Sequence, residues 1–287
     1  MATTIRNPIE WGYDQVRHAA SGIAVTGRAV RGDREHVAAP AVRKIRTADL
    51  WDALAKGLDD FGTSRTDVIF LCIIYPIAGL VLGRLAVGSG MFPLLFPLVS
   101  GFALIGPFIA VGVYELSRQR EEGHETDWAT AFAVVRAPSF AAIVALGLVL
   151  AAIFLVWLIT AQAIYAVTLG AQQPASLGAF IRDVLTTPRG WALAAIGIGI
   201  GFIFALVVFA ISVVSFPLLL DRDVGLGTAV GTSLRVIAAN PVPMAIWGAI
   251  IAAGLVVGSI PLLLGLIIVV PVIGHASWHL YRKAVAR

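Results

Sequence analysis

A chain of 287 residues that is 59% hydrophobic and 13% charged falls well short of the roughly 25% charge of an ordinary soluble domain. With a mean hydropathy of +0.89, this excludes a water-soluble globule. The formal net charge of +4 comes from arginines that flank apolar runs, so they set membrane orientation and do not mark a nucleic-acid surface.

Residues 1–46 are polar and Arg-rich, with Gly27, Gly32 and Pro40 interrupting any apolar period. They read as a mobile basic cytoplasmic tail with a short helix around Trp11–Ala20. No apolar leader segment stands in the first 66 residues, so the first membrane helix is expected to serve as its own uncleaved targeting signal. The remainder, residues 47–287, reads as one transmembrane domain. Leu50, Trp51, Leu54, Leu58 and Phe61 recur at helical spacing between Asp49, Asp52, Lys56, Asp59 and Asp60. This predicts an amphipathic helix from Thr47, lying in the membrane interface or against the bundle.

Apolar runs at Val68–Val87 and Phe92–Leu116, joined at Gly88-Ser89-Gly90, are each long enough to cross a hydrocarbon core of about 30 Å. Asp67 most simply caps the first. Cys72, the single cysteine, excludes an internal disulfide or a cysteine-built zinc site and reads as a small packing residue. A second amphipathic segment is expected over Thr126–Arg136. The runs Phe140–Leu169 and Trp191–Leu220 follow, separated by a small surface helix through Leu177, Phe180, Ile181, Val184 and Leu185. A third segment, 224–239, stops at Pro241. The last stretch, Val242–Tyr281, is too long for one helix and is expected to break at Gly258–Pro261.

The fold class is therefore an all-α polytopic bundle of six transmembrane helices as three hairpins, about 68–116, 140–220 and 242–281, each preceded by a short amphipathic helix. Pro107–Arg118 returns as Pro271–Arg282 without gaps, pairing Tyr114 with Trp278 and Arg118 with Arg282. Each copy reads as a helix exit, with an aromatic at the interface and an arginine in water, and the copies are parallel repeats. Eighteen of the 21 Lys and Arg, Arg222 among them, fall on one side of this topology and Arg84, Arg182 and Arg189 on the other. Both termini are thus expected in the cytoplasm.

Arg43–Arg287 resembles a bacterial family of integral membrane proteins known as domain of unknown function 2189. The resemblance rests on Leu104-Ile105-Gly106-Pro107-Phe108 leading to Tyr114-Glu115-Leu116-Ser117-Arg118, on Ser215-Phe216-Pro217 followed by Asp221, and on Gly274-His275-Ala276-Ser277-Trp278-His279 leading to Tyr281-Arg282. It implies a bacterial inner-membrane location and no activity.

Candidate chemistry is sparse. His275 and His279, four apart on one helix face, with Glu115 brought in by the repeat, form the one ligand-like set for zinc or haem iron. The plainer reading is two interfacial histidines at a helix C-terminus and a Glu115–Arg118 ion pair. Gly197, Gly201, Gly254 and Gly258 offer small faces for close helix packing. No catalytic motif, cofactor site or P-loop stands in the chain. The leading reading is a non-enzymatic structural or accessory membrane component. It contacts the lipid bilayer, leaves room for a membrane-protein partner or homo-oligomer, and uses no nucleic acid. Two alternatives stay open. One is a transporter or channel for a small apolar or weakly polar solute, lined by Ser100, Thr160, Gln162 or Ser212. The other is a metal- or haem-binding protein at His275 and His279.

Overall fold

The computed structural model describes residues 40–63, 69, 72–126, 128–137, 139–170 and 172–286. The expected tail helix around Trp11–Ala20 and the cap at Asp67 lie outside the described residues.

The described chain is helical. The first amphipathic segment forms α1 (Thr47–Thr63). It buries Leu50, Ala53, Gly57, Asp60 and Phe61, one stripe at three- and four-residue spacing. This stripe packs along the last helix, α11 (Leu266–Ala284). Of the two placements the spacing allowed, α1 therefore takes the one against the bundle. The two helices run antiparallel: Lys283 bonds Asp49 and Asp52 at one end, while Asp60 meets His279 at the other. The contact is close because Gly57 faces Ala276, where a Cβ would stand 2.5 Å from the Ala276 backbone nitrogen. Ahead of α1, Val42 pairs antiparallel with Val285, and the Arg43 N–H donates to the Ala284 carbonyl at 2.8 Å. The last residues assigned to the tail are thus held by the C-terminus.

The first hairpin comprises α2 (Ile74–Gly88), a 3-10 turn at Phe92–Leu94, α3 (Leu95–Ile109) and α4 (Val111–Glu121). Gly90, at φ 71°, makes the turn between them in a backbone region open to glycine. The second amphipathic segment, Trp128–Arg136, is a 3-10 helix. It is followed by α5 (Phe140–Thr168), α6 (Leu177–Thr186) and α7 (Pro188–Ser212). Ser176 caps α6 through the Ala179 N–H. Thr187 caps α7 through the Gly190 N–H, with Pro188 in the first turn. Then come α8 (Ser215–Asp221), α9 (Leu226–Ala239) and α10 (Pro241–Ser259).

Among the described residues, four helices are long and apolar enough to cross a membrane: Phe92–Glu121, Phe140–Thr168, Pro188–Asp221 and Pro241–Ser259. Shorter apolar helices stand beside them, Pro76–Gly88 and Leu226–Ala239. Within the first expected run, the continuous described helix is the shorter α2. The last stretch turns over 260–265 and not 258–261, which leaves α11 only its first residues as a purely apolar helix.

Burial is uneven along these helices. Val113–Ser117, Ser215–Leu220 and Gly274–Trp278 are buried throughout, and they meet at the end where the charges lie. Elsewhere the helices expose Ile77, Leu80 and Leu85, Leu155 and Ile159, and Ile198 and Phe202. Leaving a side chain of this size in water forgoes about 1.5–3 kcal/mol. A belt of them is a surface made for lipid. The molecule is therefore a well-buried base that carries the charges and an apolar bundle with an exposed outer surface.

Candidate functional site

Two polar clusters lie in the base, on neighbouring faces of α11. The first is centred on Asp60, an acid on the buried stripe of α1. Its Oδ2 accepts the Ser117 hydroxyl at 2.7 Å and lies 2.8 Å from His279 Nε2. Its Oδ1 accepts from Arg120 at 2.7 Å, and Arg120 also reaches Asp59. Burial pushes the Asp60 carboxyl up, but the bonds from His279 and Ser117 outweigh it and hold the group below the ordinary carboxylate range. Ser117 Oγ also lies 2.7 Å from His275 Nδ1. Since the hydroxyl proton goes to Asp60, His275 donates its Nδ1–H to Ser117. His275 Nε2 is then a bare acceptor, buried and without a hydrogen-bond partner among the described residues.

The second cluster surrounds a pocket of about 470 Å³ lined by Arg118, Glu121, Glu122, Asp221, Arg222, Trp278 and Arg282. Arg282 bonds Glu121 at 2.9 Å and Asp221 at 3.1 Å, and its guanidinium lies over the Trp278 ring. Tyr281 donates to Asp221, and Trp278 Nε1 to Glu121. Arg118 takes Glu115 and Glu122. Arg222 reaches Asp221 and the Ala286 carbonyl. The three arginines thus face acids that already hold them, and the result is a clamp joining α4, α8 and α11.

The residues singled out from sequence are placed as follows. His275 is 1% exposed, a core residue where an interfacial one was expected, because α1 and α4 cover its face of α11. His279 is half-buried and bonds Asp60. Glu115 does not join them; it accepts from Arg118 and Gln119 on another face of α4. Among the described residues no group of three or more His, Cys, Asp or Glu could hold a metal ion. Tyr114 and Trp278 are buried, not interfacial, because α8 and its neighbours enclose this level of the bundle. Gly201 faces the Trp157 ring, Gly254 faces Val269 and Ile273, and Gly258 faces Gly265, but Gly197 meets nothing within 4 Å among the described residues. Ser100, Thr160 and Ser212 donate to the carbonyls of Pro97, Val156 and Val208 in their own helices, and Gln162 is exposed.

Asp60 and Ser117 were the residues sequence reasoning passed over. Asp60 carried a signal, since it follows Ala53 and Gly57 on the stripe that ends at Phe61.

Compared with known proteins, residues 95–221 match the model of a family described as Predicted integral membrane protein (DUF2189). The match takes in the Leu104–Arg118 motif and Ser215–Asp221, and stops short of the C-terminal motif. No curated protein and no solved structure matches.

Proposed function

We propose that the protein is a non-catalytic structural or accessory component of a bacterial inner membrane, with both ends of the chain in the cytoplasm. One observation carries this reading. The charged side chains buried between helices are consumed by one another, in the Asp60 cluster and in the Arg118–Asp221–Arg282 clamp, and they hold the base together without presenting a reacting group. The excess of Lys and Arg on the side of the base supports the orientation.

Purified protein in vesicles tests it. Leakage of small apolar and weakly polar solutes should equal that of empty vesicles, while cross-linking in native membranes should capture a membrane-protein partner or a second copy. Solute flux above the empty-vesicle rate would replace this reading with a transporter. The bare Nε2 of His275 keeps the metal-binding reading worth one assay: stoichiometric metal in the purified protein would establish it.

A further inference from the structure

We propose that α10 and α11 form a re-entrant hairpin that ends inside the hydrocarbon core, making the protein a single-leaflet wedge. The inference rests on the reading of the chain as a membrane component.

Depth can be measured along the helices from a common level. Arg282, Glu121 and Asp221 meet in one ion-pair cluster, so they share a height. Pro188–Asp221 is a run of 34 residues, helical apart from a two-residue turn, and Phe92–Glu121 one of 30, helical apart from a single residue. At 1.5 Å per residue these are about 50 and about 45 Å. From Arg282 back to Leu266 there are 16 residues, or about 24 Å. The partner arm reaches a similar depth. Asn240, at the start of α10, accepts from the Ile45 N–H and donates to the Arg43 carbonyl, so α10 starts from the base, and its 19 residues reach about 28 Å. The hairpin therefore ends about 20 Å short of its neighbours, on the scale of half a bilayer of about 40 Å including headgroups.

A side contact gives the same depth independently. Leu263, in the turn, lies against Gly79. Gly79 precedes the end of α2 at Gly88 by nine residues, or about 14 Å. The Gly88–Gly90 turn marks the far surface: Gly90 stands beside the Gln173 side chain, and the following 3-10 turn packs against α6.

The chemistry of the turn suits that depth. Its residues are Ile260, Pro261, Leu262, Leu263, Leu264 and Gly265. A turn facing water at such positions ordinarily uses Gly, Asn or Asp. Leu262 and Leu263 take positive φ, 51° and 68°, which leucine adopts only under constraint. Non-helical backbone in hydrocarbon must satisfy its own polar groups, and most of this turn's N–H groups are paired within it. The Leu263, Leu264 and Leu266 N–H groups donate to Ser259, Pro261 and Leu263 at 3.0–3.1 Å. Gly258 and Gly265 let the two helices touch at the tip, while Leu262 is 72% exposed and faces lipid.

Its consequence is asymmetry. The leaflet beside the base holds α10 and α11 in addition to the crossing helices, and the far leaflet holds only the latter. Acyl chains of the far leaflet fill the space beneath the tip. A body wider in one leaflet favours a membrane bent away from that side.

Single cysteines test this on a Cys72→Ser background. Arg46→Cys and Ser89→Cys mark the near and far surfaces, and Leu262→Cys and Leu264→Cys mark the tip. A membrane-impermeant maleimide should label Arg46→Cys from the near side and Ser89→Cys from the far side, and should label the tip variants from neither. A fluorophore placed at Leu262→Cys before reconstitution should be quenched more by lipids brominated at mid-chain than by lipids labelled at the headgroup. The protein should also be denser per unit area on small vesicles than on large ones. Labelling of either tip variant together with Ser89→Cys would make the hairpin a full span and sink the wedge, leaving the proposed function in place. An unlabelled tip that mid-chain lipids fail to quench would also sink it, since a protein surface and not lipid would then cover the tip. Density independent of vesicle size would refute the asymmetry.

Discussion

Replacing Gly57 by alanine should destabilise the protein, although alanine is the better helix former. The glycine lies inside α1, where exchange for alanine ordinarily gains about 0.5–1 kcal/mol. At this position the added Cβ would sit 2.5 Å from the Ala276 nitrogen, 2.7 Å from its Cβ and 2.8 Å from its Cα. These atoms belong to the backbone and first carbon of a packed helix and cannot swing aside, so α1 must move off α11. Overpacking of this kind costs about 1–3 kcal/mol. The displacement also stretches the Asp60 bonds three residues on, which puts the cost in the upper half of that range. The net expectation is a loss of about 1–2 kcal/mol. Gly231→Ala is the matched control. It lies inside α9 with nothing within 4 Å of its Cβ position, and should gain about 0.5–1 kcal/mol. Tryptophan fluorescence during SDS titration of mixed micelles measures both. Equal gains for the two variants would refute the docking of α1 on α11.

Asp60→Ala should cost about 3 kcal/mol, the low end for breaking a buried pair, because Arg120 and His279 remain partly solvated. The Asp60 carboxyl is held below its unfolded value, so its contribution is present above about pH 4 and is lost as the pH falls through the depressed folded value. Wild type should therefore lose more stability than Asp60→Asn between pH 5 and acid, and parallel curves would contradict the assignment. Fusion of a cytoplasm-dependent reporter after Arg287 should be active, and the same fusion within 171–174 silent; the reverse pattern would overturn the orientation. His275→Gln with His279→Gln should leave metal content and visible absorbance of the purified protein unchanged, and loss of a bound metal on that double change would restore the metal-binding reading.

What was legible in the sequence was the local physics of each helix. The apolar runs, the proline and glycine stops and the surface helix at 177–186 follow from spacing and composition, and the buried stripe of α1 followed from its three- and four-residue period. What was not legible was which faces meet. Tyr114 and Trp278 carry the signature of interfacial aromatics, and nothing local reveals that α8 and its neighbours enclose them. His275, His279 and Glu115 share a repeat register, yet the register says nothing of rotation about the helix. Ser117 faces α1 and α11, whereas Glu115 faces Arg118 and Gln119. Asp60 belonged to the site because it sits on an apolar stripe, where a charge must find a partner. The Gly197 face fails for the opposite reason, since a small residue permits close approach but does not supply the neighbour.

The repeat itself shows how far such an argument carries. Pro107 and Pro271 each stand eleven residues before an arginine, and both lie inside helices. The two arginines end on neighbouring acids around one pocket, although the first copy breaks at Ala110 and the second runs on unbroken past Pro271. Behind the prolines the copies part. In the first, helix and 3-10 turn continue from Pro107 back to Phe92; in the second, the helix begins at Leu266, five residues before Pro271. The register that aligns the prolines carries Gly88–Gly90 onto 252–254, inside α10, several residues before the chain turns at 260–265. That offset is the sequence trace of a shorter hairpin. A repeat matched at its exit constrains the exit, and the length of chain behind it decides how deep the hairpin goes.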